Sequence, residues 1–194
     1  VASSWLVTHP TDLAKLNDNG AEIFEHLRNH GIAHLDSHLS NFLTDGTEFY
    51  LTDFELSLSP AFELSTQERS FLKEHRYYDQ AELLAASCNV VHAFYQAATE
   101  SQRAKVRERF EGIEQLSLRP RCSLLLEHLD EVRRLLALPR SLVSFAEKHQ
   151  DLAYLFNDFL FRLASSNSKR AKLDHEAVDA ALINAGLTQI FEAK

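Results

Sequence analysis

Chain breakers are what this sequence lacks. Its 194 residues hold five glycines and four prolines, well below average usage of roughly 7% and 5%. Glycine and proline are the residues that end helices and turn chains. A chain with so few is committed to long helices and few turns. From Ser65 onward helices are expected almost throughout. Ser65-x-x-Glu68 and Thr99-x-x-Gln102 are capping-box patterns that mark helix starts. Residues 77–98 carry Leu83, Leu84, Val90, Val91, Phe94 and Tyr95 on one broad apolar face. Further helices are expected at 100–111, 121–136, 140–148 and 151–165. The last is dense in large apolar groups and is expected to be central and buried. Residues 165–170 form a polar connector, and a helical pair at 174–185 and 187–193 closes the chain. Near the start, residues 3–8 (SSWLVT) read as a strand ended by His9-Pro10. Apolar positions from Asp12 to His30 recur at helical spacing, but Asn17-Asp-Asn-Gly20 interrupts them. The expectation is a short helix, a turn, and a second helix over 21–30 closed by Gly31.

Residues 31–56 are the exception to the helical rule. Phe42-Leu43-Thr44 and Phe49-Tyr50-Leu51-Thr52 are short β-prone pieces, and Asp45-Gly46 between them signals a hairpin. Ionisable groups crowd the same stretch: His34, Asp36, His38 and Asp53, with Asn41 among them. The bland reading is a set of loop and turn residues, with Asp36 as a cap. Two chemical readings compete with it. Phosphoryl transfer needs a carboxylate to accept the proton of an attacking hydroxyl, and hard oxygen ligands to hold magnesium on the phosphates. Asp36 supplies the first, and Asn41 with Asp53 the second. The hairpin folds the chain back so that Asp53 returns toward Asn41. Alternatively, His34, Asp36, His38 and Asp53 form a cage for zinc, manganese or iron that activates water, as in a metal-dependent phosphohydrolase.

His34-x-Asp36-x-His38-x-x-Asn41 followed by Asp53-Phe54-Glu55 resembles the signature of the aminoglycoside phosphotransferase and choline kinase group, relatives of the protein kinases. The resemblance implies a mainly α fold with a small β-hairpin, a protein kinase-like C-terminal lobe. It implies Asp36 as catalytic base, His38 beside the transferred phosphate, and Asn41 and Asp53 as magnesium and nucleotide ligands. His34 is then a prop of the loop, and Asp79, early in its helix, braces the loop through backbone N–H groups. ATP and Mg2+ are the implied cofactors and a small-molecule hydroxyl is the implied acceptor. Sugar, aminoglycoside, amino alcohol, lipid headgroup and protein hydroxyl all remain open. The departure from the family is large. Only residues 1–33 precede His34, and the glycines at 20, 31, 46, 112 and 186 make no phosphate-covering loop. Residues 1–10 would be the remnant of the hinge strand, 31–56 the catalytic loop and metal-binding hairpin, and 171–194 a helical appendage. The nucleotide-binding N-lobe is expected in cis or in trans. A pseudokinase-like interaction module, keeping the shape without the chemistry, is the alternative.

Composition trims the remaining classes. A formal net charge of −8 argues against broad binding to nucleic acid or anionic membrane. The basic runs Arg103–Arg109 and Lys169–Lys172 read as a solvated helix face and a linker. No apolar run is long enough to span a bilayer. Cys88 and Cys122 share no ligand spacing and read as small core residues, which fits a reducing cytoplasm. His92 reads as a satisfied core histidine. The chain has no methionine and begins at Val1, so a processed chain or an excised fragment is expected.

Overall fold

The computed structural model describes residues 1–165 and 171–187. The described residues form ten α-helices and one two-stranded antiparallel sheet. The mainly helical class with a small hairpin is as expected, but several element boundaries are not.

Residues 3–8 are not a strand. They lie in a helix, α1 (Ala2–Thr8), whose Ala2 and Leu6 are fully buried. Trp5, Val7 and Thr8 favour strands, but the i, i+4 pair lets one helical face reach the core, and packing outweighs propensity. The Trp5 ring stacks on His9 at 3.7 Å and its indole N–H donates to Asp12 Oδ2 at 2.7 Å, which closes the corner into α2 (Asp12–Asn29).

The turn expected at Asn17–Gly20 is absent, because α2 is continuous. The two apparent breakers serve packing against α4 (Tyr78–Cys88). Asn17 is buried, and its side-chain amide donates to the Leu13 carbonyl at 2.8 Å and to Ser87 Oγ at 3.1 Å. Gly20 admits Leu83 so closely that a Cβ there would stand 2.2 Å from Leu83 Cδ2. Gly31, just past the helix, has φ +70° and ends it as expected.

The hairpin pairs β1 (Phe42–Thr44) with β2 (Phe49–Leu51) in the register Phe42↔Leu51, Leu43↔Tyr50, Thr44↔Phe49. Its loop is therefore four residues, 45–48, rather than a tight Asp-Gly pair. Asp45 organises it: Oδ1 accepts from Thr47 N, Thr47 Oγ1 and Glu48 N, and Oδ2 from the Tyr50 hydroxyl. These donors, the Thr47 hydroxyl first, hold the carboxyl well below its ordinary range.

Both capping boxes are present, at the starts of α3 (Thr66–Glu74) and α6 (Glu100–Arg109). The expected 77–98 helix breaks at Asn89 into α4 and α5 (Val90–Ala97). Asn89 exchanges two amide hydrogen bonds with buried Asn157, at 2.9 and 3.1 Å. The expected 121–136 helix is two, α7 (Leu118–Glu127) and α8 (Leu129–Leu136). Pro120 sits in the first turn of α7, where a missing N–H costs little. Conversely, 140–148 and 151–165 fuse into α9 (Arg140–Ala164), since no glycine or proline separates them. α9 packs chiefly along α4, and also on α7 and on α10 (His175–Asn184). Phe156 is buried as expected, whereas Phe161 is 46% exposed. Most of the expected connector at 165–170 and most of the helix at 187–193 lie outside the described residues. Cys88 and Cys122 are buried and free. No helix among the described residues is long and apolar enough to cross a membrane. One apolar core runs from Ala2 to Leu182, with α4 at its centre.

Candidate functional site

The loop from Ala33 to Asn41 lies on the N-terminal part of α4 and is held from below by two carboxylates. Asp79 accepts from His34 N at 2.8 Å and from Leu35 N at 2.7 Å. Glu82, one turn later on the same face, accepts from Ser37 N at 2.7 Å and Ser37 Oγ at 3.0 Å. The Ser37 hydroxyl is also 2.9 Å from the Asp79 carbonyl. Both carboxylates are buried, and burial raises the pKa of each. Glu82 reaches about 7, with Asp79 and Asp36 pushing in the same direction. The loop amides offset part of this by favouring the charged forms. This clamp forces Leu35 to φ +65°, a conformation a leucine adopts only when its surroundings fix it.

A second set of bonds ties the loop to the chain beyond the hairpin. Ala33 and Leu58 exchange both backbone hydrogen bonds, at 3.0 and 2.9 Å. Fully buried His34 points Nε2 at the Thr52 carbonyl, 3.0 Å away. Thr52 donates its N–H and its hydroxyl to the Asn41 carbonyl, each at 2.9 Å. The residue after Thr52 is Asp53, so the hairpin returns its root beside Asn41. Asp53 itself has φ +63° and ψ +69°. Its carboxylate is exposed and takes no hydrogen bond or ion pair among the described residues.

Between these anchors, Asp36, His38 and Asn41 meet directly. The Asn41 side-chain amide donates to both the carbonyl (2.8 Å) and Oδ2 (2.9 Å) of Asp36. Both bonds use the nitrogen, so the carboxamide oxygen keeps its lone pairs. His38 Nδ1 accepts from Ser40 N at 3.2 Å, which puts the ring proton on Nε2, 3.3 Å from Asp36 Oδ1. The Asp36 carboxylate is thus held at Oδ2 by Asn41 and has His38 Nε2 near Oδ1. Beside His38 opens a cavity of about 430 Å³ between the loop, α5 and α7, with Ser40, Asn89, Gln96 and Arg119 among its polar walls. Among the described residues no carboxylate lines it. His92 also borders it, and is buried with Nε2 unpartnered among the described residues.

No group of three or more His, Cys, Asp or Glu among the described residues is placed to hold a metal ion. His34 Nε2 is engaged by the Thr52 carbonyl, and its Nδ1 is buried without a partner among the described residues. The two-ligand reading asks less. An amide oxygen from Asn41 and a carboxylate from Asp53 are hard donors, and magnesium completes its shell with water and phosphate. That donor set fits.

Sequence reasoning placed Asp36, His38, Asn41, Asp53, His34 and Asp79 in this region, but missed Ser37, Thr52 and the loop-holding role of Glu82. The available signal for Glu82 was its i, i+3 spacing from Asp79. Thr52 acts mainly through its backbone and left no sequence signal. The chain matches no known family model, no curated protein and no solved structure.

Proposed function

We propose that this chain carries the catalytic face of an ATP- and magnesium-dependent phosphotransferase acting on a hydroxyl acceptor. The observation that supports it most is the double grip of the Asn41 amide on Asp36, which fixes a carboxylate and a carboxamide oxygen as one rigid piece. In this reading Asp36 receives the acceptor's proton, with His38 beside its other oxygen. Asn41 and Asp53 hold magnesium, which when bound neutralises charge on the transferring phosphoryl group. The buried Asp79 and Glu82 keep the loop in its strained shape, so the geometry is set before any ligand arrives. The cavity beside His38 is the acceptor site. Its walls carry Arg119 and neutral polar groups, which suits an uncharged or anionic alcohol better than a cationic amine. The lobe that covers the nucleotide comes from outside these 194 residues, in cis or in trans.

The test uses Mn2+ in place of Mg2+ on the isotope-labelled chain. Paramagnetic broadening is expected to centre on Asn41 and Asp53 and to vanish in Asp53→Ala. With the nucleotide lobe present, Asp36→Asn is expected to lower phosphate transfer by roughly 10²–10⁴-fold. Broadening centred elsewhere, or transfer indifferent to Asp36→Asn, refutes the reading.

One observation favours the interaction-module alternative. Phe54, Leu56 and Phe62, just past Asp53, are 48%, 60% and 58% exposed, and clustered exposed apolar groups mark contact surfaces. Full biological activity in Asp36→Asn would favour that alternative.

A further inference from the structure

A second concave surface lies behind the loop, on the far side of Asp79. A cavity of about 470 Å³ opens between the end of α2, residues 60–64, α3 and the first turn of α4. Its rim carries Arg28, Arg69, Lys73 and Arg76, and its floor is apolar, with Ile32, Leu64 and Leu72. None of the four cations forms an ion pair among the described residues, whereas Arg103, Arg107, Arg109 and Arg162 all do. In a chain of net charge −8, four unmatched cations around one cavity are a local reversal of sign.

Two of them are held in place. The guanidinium groups of Arg28 and Arg76 lie over the Tyr77 ring, at 5.4 and 5.6 Å from its centre. Arg28 is half-buried, and burial lowers its pKa; Tyr77 opposes this, and neighbouring Arg76 lowers it further. The carboxylate in the wall, Asp79, has both oxygens committed to the His34 and Leu35 amides. Glu25 acts on Arg28 only from beyond ion-pair distance.

We infer that this cavity binds an organic anion, its carboxylate or phosphate group between Arg28 and Arg76 and its apolar body on the floor. A planar guanidinium pairs with either headgroup through two parallel hydrogen bonds. A partly buried cation beside a second cation gains more from an anion than a solvated one does. The floor adds affinity only for an occupant that brings hydrocarbon. The occupant would sit against Asp79, one side chain from the catalytic loop. The site does not depend on the phosphotransfer reading and stands or falls separately.

Calorimetric titration of the chain with hexyl phosphate, hexanoate and inorganic phosphate at fixed ionic strength tests it. One organic anion is expected to bind saturably at one site, at least roughly 10-fold tighter than inorganic phosphate, since each buried methylene contributes about fourfold. Which of the two binds tighter identifies the headgroup. Arg28→Gln with Arg76→Gln is expected to weaken it about 10-fold or more. Should that variant not fold, Arg69→Gln with Lys73→Gln, on the exposed rim, is expected to weaken it several-fold. Arg133→Gln with Arg134→Gln on α8 should leave it unchanged. The inference is overturned by absence of saturable binding, by equal affinity for inorganic phosphate, or by an equal loss in the α8 variant.

Discussion

Glu82 is where a single residue governs the site. Its pKa is raised from 4.5 to about 7, chiefly by burial. A carboxyl raised on folding binds its proton more tightly in the native than in the unfolded state. Between about pH 4.5 and 7 the native protein therefore holds more protons, and stability falls as pH rises through that window. The penalty is absent below the unfolded value and complete above the folded one. Glu82→Gln keeps an oxygen for the Ser37 N–H but cannot ionise. It is expected to match the wild type near pH 4 and to be the more stable at pH 8, by about 1–3 kcal/mol at roughly 1.4 kcal/mol per unit. Urea melts at the two pH values check this, and a difference that does not change with pH refutes it. The loop residues themselves were legible in the sequence because His34, Asp36, His38 and Asn41 occupy one short stretch. The floor beneath them was less so: Asp79 and Glu82 lie more than forty residues away, and only folding shows which amides they take.

At the scale of elements, the mistaken boundaries share one cause. Local signals describe what a segment prefers alone, and tertiary packing decides what it does. Asn17-Asp-Asn-Gly20 has the composition of a turn, yet α4 turns it into a notch: Asn17 bonds Ser87, and Gly20 makes room for Leu83. The helix there has lower intrinsic propensity and closer packing. Gly20→Ala separates the two effects. Alanine gains about 1 kcal/mol of helix propensity, but its methyl group meets the fully buried Leu83 side chain. Overpacking of this kind costs roughly 1–3 kcal/mol. A lower melting temperature is therefore expected despite the better helix former, and a higher one would show that Leu83 can move aside. The capping boxes at Ser65 and Thr99 were readable because a cap is a local bond between near neighbours. The merging of two expected helices into α9 had a local signal too, since His149-Gln150 between them holds no glycine or proline to end a helix.

For the whole molecule the question is whether the loop and hairpin and the helical core are one cooperative unit. α4 belongs to both. Its outer face holds Asp79 and Glu82 under the loop, and its inner face packs on α2 and α9. Tyr78, beside Asp79, meets the Phe156 ring edge-on at 5.3 Å. The single tryptophan reports on the other end of this connection: Trp5 lies in α1, which packs on β1 and the turn at Leu39–Asn41, and its ring faces Gly46 in the hairpin. Fluorescence therefore follows α1 and its contacts with α2, α5, the loop and the hairpin, while far-UV circular dichroism follows all the helices. If α4 joins them as described, thermal unfolding observed by the two signals coincides. Phe156→Ala, deep in the core and remote from Trp5 in sequence, should cost about 3–5 kcal/mol. At roughly 2–4 °C per kcal/mol for a chain of this size, both curves should shift together by about 10 °C. A fluorescence transition that stays in place while the dichroism curve moves would mean that α1, with the loop and hairpin it packs on, unfolds apart from the helices around Phe156. In that case the rigidity assigned to Asp36 and Asn41 could not come from α4.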